Sequence, residues 1–403
     1  MSAAALAPPV QPRAKRVIAV FGKSFDAYQG RYLRAYNQAV SLVEAGYDVT
    51  VVGWDRDCNR PVEEERDGIH IRRFRIPAGG SRGPLRNAGP MLEFNRAVYR
   101  YLRRNPCDVI HCFDLDAMVA CLAASRRQTC KAVLDISEPD YYKGFWKRGF
   151  EWLLPVVNWA ERTCARRFDH VFVNTTYQVR KFENRGLKGM TMLGCYPRRS
   201  MVLDTLPEKP PGRVAVGYLG TMYANKGIEE LVAAFGLLLA RERAEPSGYR
   251  YELVLAGKVL DNFRPTLERL IAPFREHVRL TGPYDIFTEL PGLYRSIDIS
   301  VLVYDVETFA NLTPTKLYES LANGVPVIAN DIGDMGEVVR AGQCGVVVAS
   351  KTPEVICDAI QKFAASDQLL RRTSERCLEL AQSRYSWEAL RDAYLAAYAG
   401  LWR

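Results

Sequence analysis

Short, fully apolar runs alternate with amphipathic segments along this chain, and that alternation narrows the fold more than any other feature. Val17–Phe21 is five apolar residues in a row, as a strand buried on both faces of a parallel sheet requires. A loop at Gly22–Asp26 follows, then an amphipathic helix from Gly30 to about Ala45; Gly46 closes it and Val49–Gly53 forms the next strand. Parallel neighbours need such a crossover, so this is a βαβ unit. Further strands are expected at 69–76, 108–113, 132–138, 170–175 and 190–194, with Ala78–Pro90 a Gly/Pro/Arg-rich loop ahead of a helix from Met91 to Arg104. Leu206–Gly212 (Leu-Pro-Glu-Lys-Pro-Pro-Gly) is the clearest linker. Beyond it the alternation resumes, with strands expected at 214–220, 251–257, 278–284, 299–304, 325–329 and 345–348. The expected architecture is α/β, two doubly wound domains facing a cleft: a disordered lead at 1–15, a first domain at 16–205, the linker at 206–212 and a second domain at 213–385.

At 403 residues, 48% hydrophobic and 25% charged, the chain reads as a soluble globular protein with room for two domains. No apolar run approaches the roughly 18 residues of a membrane helix. Met1–Pro12 is Ala/Pro-rich and lacks a basic region leading into an apolar core, so a signal peptide is not expected. None of the ten cysteines forms a CxxC pair, and Cys112, Cys195 and Cys344 lie in or beside apolar strand patterns. Buried free thiols in a reducing cytosol are expected, rather than disulfides or zinc. Charge is unevenly placed: residues 1–200 carry 33 Lys+Arg against 20 Asp+Glu, and the remainder 22 against 26. A basic half joined to a mildly acidic one suits an anionic partner, whether nucleic acid, a membrane surface or a phosphorylated lipid. The lone Gly22/Gly30 pair is no GxGxxG fingerprint, which leaves a nicotinamide cofactor with little support.

The densest chemistry lies at Thr313–Pro326. Thr313 is an expected N-cap with Pro314 at the first helical position; Leu317, Tyr318 and Leu321 form the apolar stripe, and Asn323-Gly324 ends the helix. A helix start just after a buried strand offers free N–H groups to a phosphate. Lys316 and Glu319, three apart, share one helical face. The same pattern also describes an ordinary capped helix with an internal ion pair. A second short loop, Thr221–Gly227, places Lys226-Gly227 ahead of the helix Ile228–Leu239 as another anion site. His111 sits toward the C-terminal end of a buried strand, where ligands bind in open α/β sheets, although a structural histidine would fit there too. Asp114-Leu-Asp116 is read as a helix start rather than a metal motif. Gly30 lets backbone approach a ligand or simply punctuates a turn, and Glu138 reaches ligand hydroxyls or is a solvated loop acid. Tyr141–Leu154 interleaves aromatics with Lys143, Lys147 and Arg148, as at a membrane interface or on a helix with its rings in the core.

The segment Pro314-x-Lys316-x-x-Glu319, with Lys226, resembles the nucleotide-sugar signature of retaining GT-B glycosyltransferases of family 4 (glycosyl transferases group 1), and the likeness extends over roughly residues 16–403. It implies a GT-B fold of two Rossmann-like domains and hexosyltransferase-type transfer from a UDP- or GDP-sugar to a glycan or polyprenyl-linked acceptor, in polysaccharide or glycoconjugate biosynthesis. Of the family's two glutamates eight apart, the second, on the ribose, falls on Glu319; the first, facing the donor sugar, falls on Asn311. Lys226 matches the lysine that neutralises the diphosphate, but Thr221 stands where an arginine often follows the glycine at 220. The resemblance gives a donor site of Gly220, Thr221, Lys226, Gly257, Tyr284, Asn311, Thr313, Thr315, Lys316 and Glu319, with His111 facing the sugar and Gly30 and Glu138 on the acceptor side. It implies no metal and no cofactor, and a terminal helix at 386–403 that packs back on the first domain. With the basic first half, it suggests a cytoplasmic enzyme resting on an anionic inner leaflet, and no nucleic-acid partner. A GT-B nucleotide-sugar 2-epimerase and a non-catalytic sugar- or nucleic-acid-binding protein are the alternatives.

Overall fold

The computed structural model describes residues 13–26, 32–78, 84–137, 152 and 154–403. The chain packs as two compact units, one drawn from residues up to Ser24 with Gln38–Val133, the other from Phe25–Asn37 with Leu134–Arg403. Strands β1 (Arg16–Phe21), β2 (Asp48–Asp55), β3 (Glu63–Arg66), β4 (Ile69–Arg75), β5 (Val109–Phe113), β6 (Lys131–Ile136), β7 (His170–Val173) and β8 (Met190–Met192) form one sheet in the order β3-β4-β2-β1-β5-β6-β7-β8. β3 and β4 pair antiparallel, whereas β1 runs parallel to both β2 and β5. The second sheet, wholly in the second unit, joins β9 (Arg213–Leu219), β10 (Arg250–Ala256), β11 (Val278–Thr281), β12 (Ile299–Leu302), β13 (Val327–Asn330) and β14 (Gly345–Val348). Its order is β11-β10-β9-β12-β13-β14, and neighbouring strands all pair parallel.

Parallel strands covered on both faces explain why the runs are apolar throughout. Val17, Ile18 and Val20 in β1, and Leu253, Val254 and Leu255 in β10, have no exposed surface. All ten cysteines are free, and Cys112, Cys195 and Cys344 are buried. No helix among the described residues is long and apolar enough to cross a membrane.

Three local readings need correction. The helix expected to begin at Met91 starts at Pro84 and carries Pro90 inside it, so most of the supposed loop is helical. A proline at the first position sacrifices no helical hydrogen bond, which is why the Gly/Pro content misled. Asp114 and Asp116 precede the helix Met118–Gln128 rather than opening it; Asp114 sits at φ 56° in a tight turn. At 313–315 the N-cap is Pro314 and the helix runs Thr315–Ala322; the Thr313 hydroxyl instead accepts from the Asp334 N–H at 3.0 Å.

Two buried ion pairs fix helices in the second unit. Arg34 donates through Nε to Asp135 Oδ1 at 2.8 Å and also bonds the Leu193 carbonyl. Lys181 donates to Glu161 at 2.6 Å, joining the helices Leu154–Ala165 and Thr176–Phe182, with both side chains at most 3% exposed. The terminal helix Glu388–Gly400 lays Tyr394 5.2 Å from Phe172 of β7, ring to ring. A buried pair broken on one side leaves an uncompensated charge. Lys181→Met is therefore expected to cost about 3–5 kcal/mol, with the Glu161→Met/Lys181→Met double variant recovering most of it. Thermal denaturation of the three chains checks this, and equal loss in single and double variants would refute it.

Candidate active site

Strand order reverses between β9 and β12, and ligands of open α/β sheets bind at such a reversal beyond the carboxyl ends of the strands. The segments leaving those ends are Gly220–Gly227 after β9 and Val303–Pro314 after β12. They are drawn tightly together. Gly227, at φ 72°, has no room for a Cβ against the Val303 carbonyl, and Asp305 N–H donates to the Asn225 carbonyl at 3.1 Å. Gly220, at φ 146°, is packed just as closely against the Lys316 side chain, whose ammonium also lies 5.7 Å from the Tyr218 ring centre. Gly220 N–H donates to Ala256 O at 2.7 Å, and Gly257 N–H reaches Gly282 O at 3.0 Å. Those bonds bring the loop that carries Tyr284 to the same end of the sheet.

The helix Thr315–Ala322 supplies the charged pair. Tyr294, fully buried, donates to Glu319 Oε2 at 3.4 Å. Burial pushes the Glu319 carboxyl above its usual range, an effect opposed by the Lys316 charge and the Tyr294 hydrogen bond. Burial pushes the Lys316 ammonium down, opposed by Glu319. Burial, then the Glu319 charge, raises the phenol of Tyr284. Lys316 and Glu319 thus share a site, but not as the direct internal ion pair of an ordinary capped helix. Thr315 is half-buried at the start of the helix, while Thr221 is exposed and its carbonyl accepts from Tyr218 at 3.4 Å. Asn311 is half-buried on the segment that follows β12.

Lys226 points into aromatic rings: Nζ lies 4.2 Å from the Phe309 centroid and 5.1 Å from each of Tyr304 and Tyr223. Asn330, at the end of β13, accepts from the Tyr304 N–H at 2.9 Å and donates to its carbonyl at 2.8 Å. Sequence reasoning missed Tyr218, Tyr294, Tyr304, Phe309 and Asn330. The aromatics look like ordinary core residues in a one-dimensional pattern, and only the strand-order reversal brings them together.

In the other unit, His111 is buried in β5 opposite Ala19 of β1, its ring stacked 4.4 Å from Phe113. It lies at the reversal of the first sheet, between β1 and β5. Gly22, in the loop after β1, presses against the Asp116 carboxylate, a contact that no larger residue would allow. Gly30, Glu138 and residues 141–151 lie outside the described residues, so the acceptor-side reading of the first two has no structural counterpart here.

The Glycosyl transferase 4-like domain family matches residues 30–191, and the Glycosyl transferases group 1 family matches residues 213–366. The chain belongs to the group 1 glycosyltransferases. Curated relatives include the lipopolysaccharide core biosynthesis mannosyltransferase LpsB of Rhizobium meliloti, 26% identical over 48% of this chain and 53% of its own length. A D-inositol 3-phosphate glycosyltransferase of Corynebacterium glutamicum is 27% identical over 43% of this chain and 40% of its own. The matched region thus spans about half the length of these relatives, or less. Sucrose-phosphate synthase from Thermosynechococcus elongatus superposes with a TM-score of 0.78 at 17% identity, covering 96% of this chain and 99% of that one. WaaG, a glycosyltransferase involved in lipopolysaccharide biosynthesis, gives 0.66 at 16% identity over 94% and 99%. Anabaena HepE in complex with UDP and glucose gives 0.69 at 13% identity over 96% and 100%. This group 1 glycosyltransferase therefore has the GT-B fold, two Rossmann-like domains built on parallel sheets.

The opposed charges at 316 and 319 predict a separation of binding from stability. A carboxyl raised by burial favours folding while protonated, and that contribution is lost as pH rises through its folded value; once ionised, Glu319 is a burden on the fold. Glu319→Gln is expected to weaken binding of the cognate nucleotide by roughly 1–3 kcal/mol, because a charge-assisted acceptor is lost. Its melting temperature should equal or exceed the native value at pH 7, the two converging as pH falls below the usual carboxylate range. Calorimetric titration and melting curves check both, and unchanged nucleotide affinity would remove Glu319 from the site.

Proposed function

We propose that this glycosyltransferase moves a hexosyl group from a UDP- or GDP-sugar to a glycan or polyprenyl-linked saccharide, with retention of configuration. The observation that carries the reading is the convergence of Lys316, Glu319 and the Lys226 loop where the second sheet reverses. A half-buried carboxylate suits a ribose diol, and ammonium groups beside close-packed backbone suit a diphosphate. The relatives, a mannosyltransferase among them, and the UDP held by the HepE structure support the same donor class. In this reading the segment 213–385 holds the donor and 16–205 the acceptor.

As the bond between the anomeric carbon and the diphosphate oxygen breaks, negative charge grows on the leaving phosphate. Lys226, Lys316 and the amides at the start of the Thr315–Ala322 helix stabilise that charge, and they do so more in the transition state than in the bound donor. The acceptor hydroxyl attacks from the face the diphosphate leaves and passes its proton to a departing phosphate oxygen. His111, at the strand-order reversal of the first sheet, is that sheet's candidate residue for a sugar hydroxyl. No enzyme nucleophile, metal or additional cofactor enters the scheme. Lys226→Ala is accordingly expected to lower turnover by about 100-fold while changing donor affinity far less. Steady-state kinetics with the UDP- or GDP-sugar selected by melting-shift screening checks it; full turnover with only a raised donor KM would make Lys226 a binding residue alone.

The proposed acceptor side rests on an anionic membrane surface. Val156 and Trp159 project from the helix Leu154–Ala165 at 56% and 67% exposure, and Trp152, just before it, is 70% exposed. The opposite face is anchored by the buried Glu161 and Ala165. Arg166 and Arg167 are exposed at the end of the helix, so rings and cations occur together, as at a lipid headgroup layer. Trp152→Ser/Trp159→Ser is expected to reduce co-sedimentation with phosphatidylglycerol-containing vesicles by about tenfold, and added salt to weaken the native chain's binding through charge screening. Equal, salt-insensitive recovery of both proteins in the supernatant would refute the membrane reading and leave the glycosyl-transfer reading untouched.

A further inference from the structure

Lys226 is placed by residues from a different loop. Its amine lies 4.2 Å from the centre of the Phe309 ring and 5.1 Å from Tyr304, both on the segment after β12, and 5.1 Å from Tyr223 on its own loop. We propose that Phe309 and Tyr304 form an aromatic seat that positions Lys226 for the leaving diphosphate, with Phe309 as the main positioning residue. The proposal rests on the assignment of Lys226 to the diphosphate made above.

The seat is built from fixed parts. Tyr304 is 1% exposed, and both of its backbone groups are held by the Asn330 side chain. Phe309 ends the short helix Val306–Phe309, whose first turn is capped by the Asp305 carboxylate accepting from Thr308 N–H at 2.9 Å. The Phe309 ring meets the Tyr304 ring edge-on, with centroids 5.6 Å apart. Asp305 N–H bonds the carbonyl of Asn225, the residue before Lys226, so lysine and seat move as one. Gly227, directly after the lysine, packs on the Val303 carbonyl directly before Tyr304.

Aromatic faces do for this lysine what a carboxylate could not. A carboxylate would also fix a long flexible side chain, but it would neutralise the ammonium and compete with the incoming phosphate for its N–H groups. A ring face attracts the cation through its quadrupole, excludes water from one side and leaves the full positive charge available. As the diphosphate departs and its charge grows, the pre-placed ammonium gains interaction without having to be moved into position.

The experiment measures binding of UDP, GDP, uridine and guanosine by calorimetry to the native chain and its variants. Phe309→Leu keeps an apolar side chain at a half-buried position but removes the ring. It is expected to weaken the preferred nucleoside diphosphate by about 3- to 30-fold and to leave the matching nucleoside unchanged. Phe309→Tyr should bind like the native chain, and Tyr223→Leu should show a smaller loss of the same kind. In a Lys226→Ala background, Phe309→Leu should have no further effect. In addition, after reductive ¹³C-methylation the Lys226 methyl resonance should lie upfield through ring currents and return to an ordinary position in Phe309→Leu. If Lys226→Ala weakens the diphosphate while Phe309→Leu does not, or if the two losses simply add, the seat is overturned and the diphosphate role stands. If Lys226→Ala leaves diphosphate affinity intact, that role falls, and the seat's function with it.

Discussion

Lys316 and Glu319 are charged groups kept where burial works against their charge, and the donor end of the second sheet depends on that tension. Burial pushes the glutamate up and the lysine down, and each charge relieves the other only through space. An arrangement selected for the fold alone would bring the two into a direct hydrogen-bonded pair or replace them with apolar residues of similar size. Here Tyr294 spends its hydroxyl on the carboxylate, and the Gly220 backbone closes on the lysine stem. In the proposed donor site, the hydroxyls and phosphates of a polar ligand would complete what the protein leaves unfinished, and stability given up at this helix start would return as binding.

The place where this occurs follows from topology. In a parallel sheet whose strand order reverses, the two loops at the reversal turn away to opposite faces and open a crevice between them. The second sheet reverses between β9 and β12, and the loops that leave those strands carry Lys226 on one side and Tyr304, Phe309 and Asn311 on the other. Small residues then decide how deep the crevice is. Gly220 and Gly227 let side chain and backbone come closer than any Cβ would allow, so the cations stand over the strand ends rather than out in solvent. The first sheet repeats the rule at β1 and β5, where Gly22 meets Asp116 and His111 occupies the last turn of the strand pair. One architectural device, used twice, generates both sets of candidate residues.

Much of this was legible in the sequence, and the remainder failed for reasons that can be named. Apolar runs such as Val17–Phe21 and Ile299–Leu302 marked buried parallel strands because burial on two faces leaves no polar alternation to confuse the pattern. Glu319, Lys316 and Lys226 stood out as charged residues in or just before a helix that follows a buried strand, a pattern that an ordinary capped helix also fits, and the family resemblance singled them out. Tyr304 and Phe309 were not, because an aromatic next to an apolar strand is the most ordinary thing in a core. Asn330 was passed over as the end of a strand, although an amide there is the side chain able to hold both the N–H and the carbonyl of one neighbouring residue. Pro84 misled because a proline at the first helical position has no helical N–H bond to lose, whereas Pro90 is carried inside the helix with one bond unmade. Thr313 looked like the cap its residue type favours, but its hydroxyl serves Asp334 instead.

That last bond has a consequence for how the donor segment is tied to the rest of its unit. Thr313 accepts from the Asp334 backbone, and the Asp334 carboxylate in turn accepts from the N–H of Thr176, at 3.1 Å, and from its hydroxyl. Thr176 opens the helix Thr176–Phe182, where the Thr175 and Gln178 side chains form a capping box and Gln178 also donates to the Ile136 carbonyl at 2.9 Å. A continuous chain of hydrogen bonds therefore runs from the residue before Pro314 to the end of β6. Every link uses a polar group that would otherwise be an unsatisfied helix or strand terminus, so the chain costs the fold little. What the conventional N-cap would have done for one helix is done here for two, and the start of the Thr315–Ala322 helix is left with its own N–H groups free of a side-chain cap. A helix start without a side-chain cap keeps its amides open to an anionic group, which is what the proposed diphosphate site calls for.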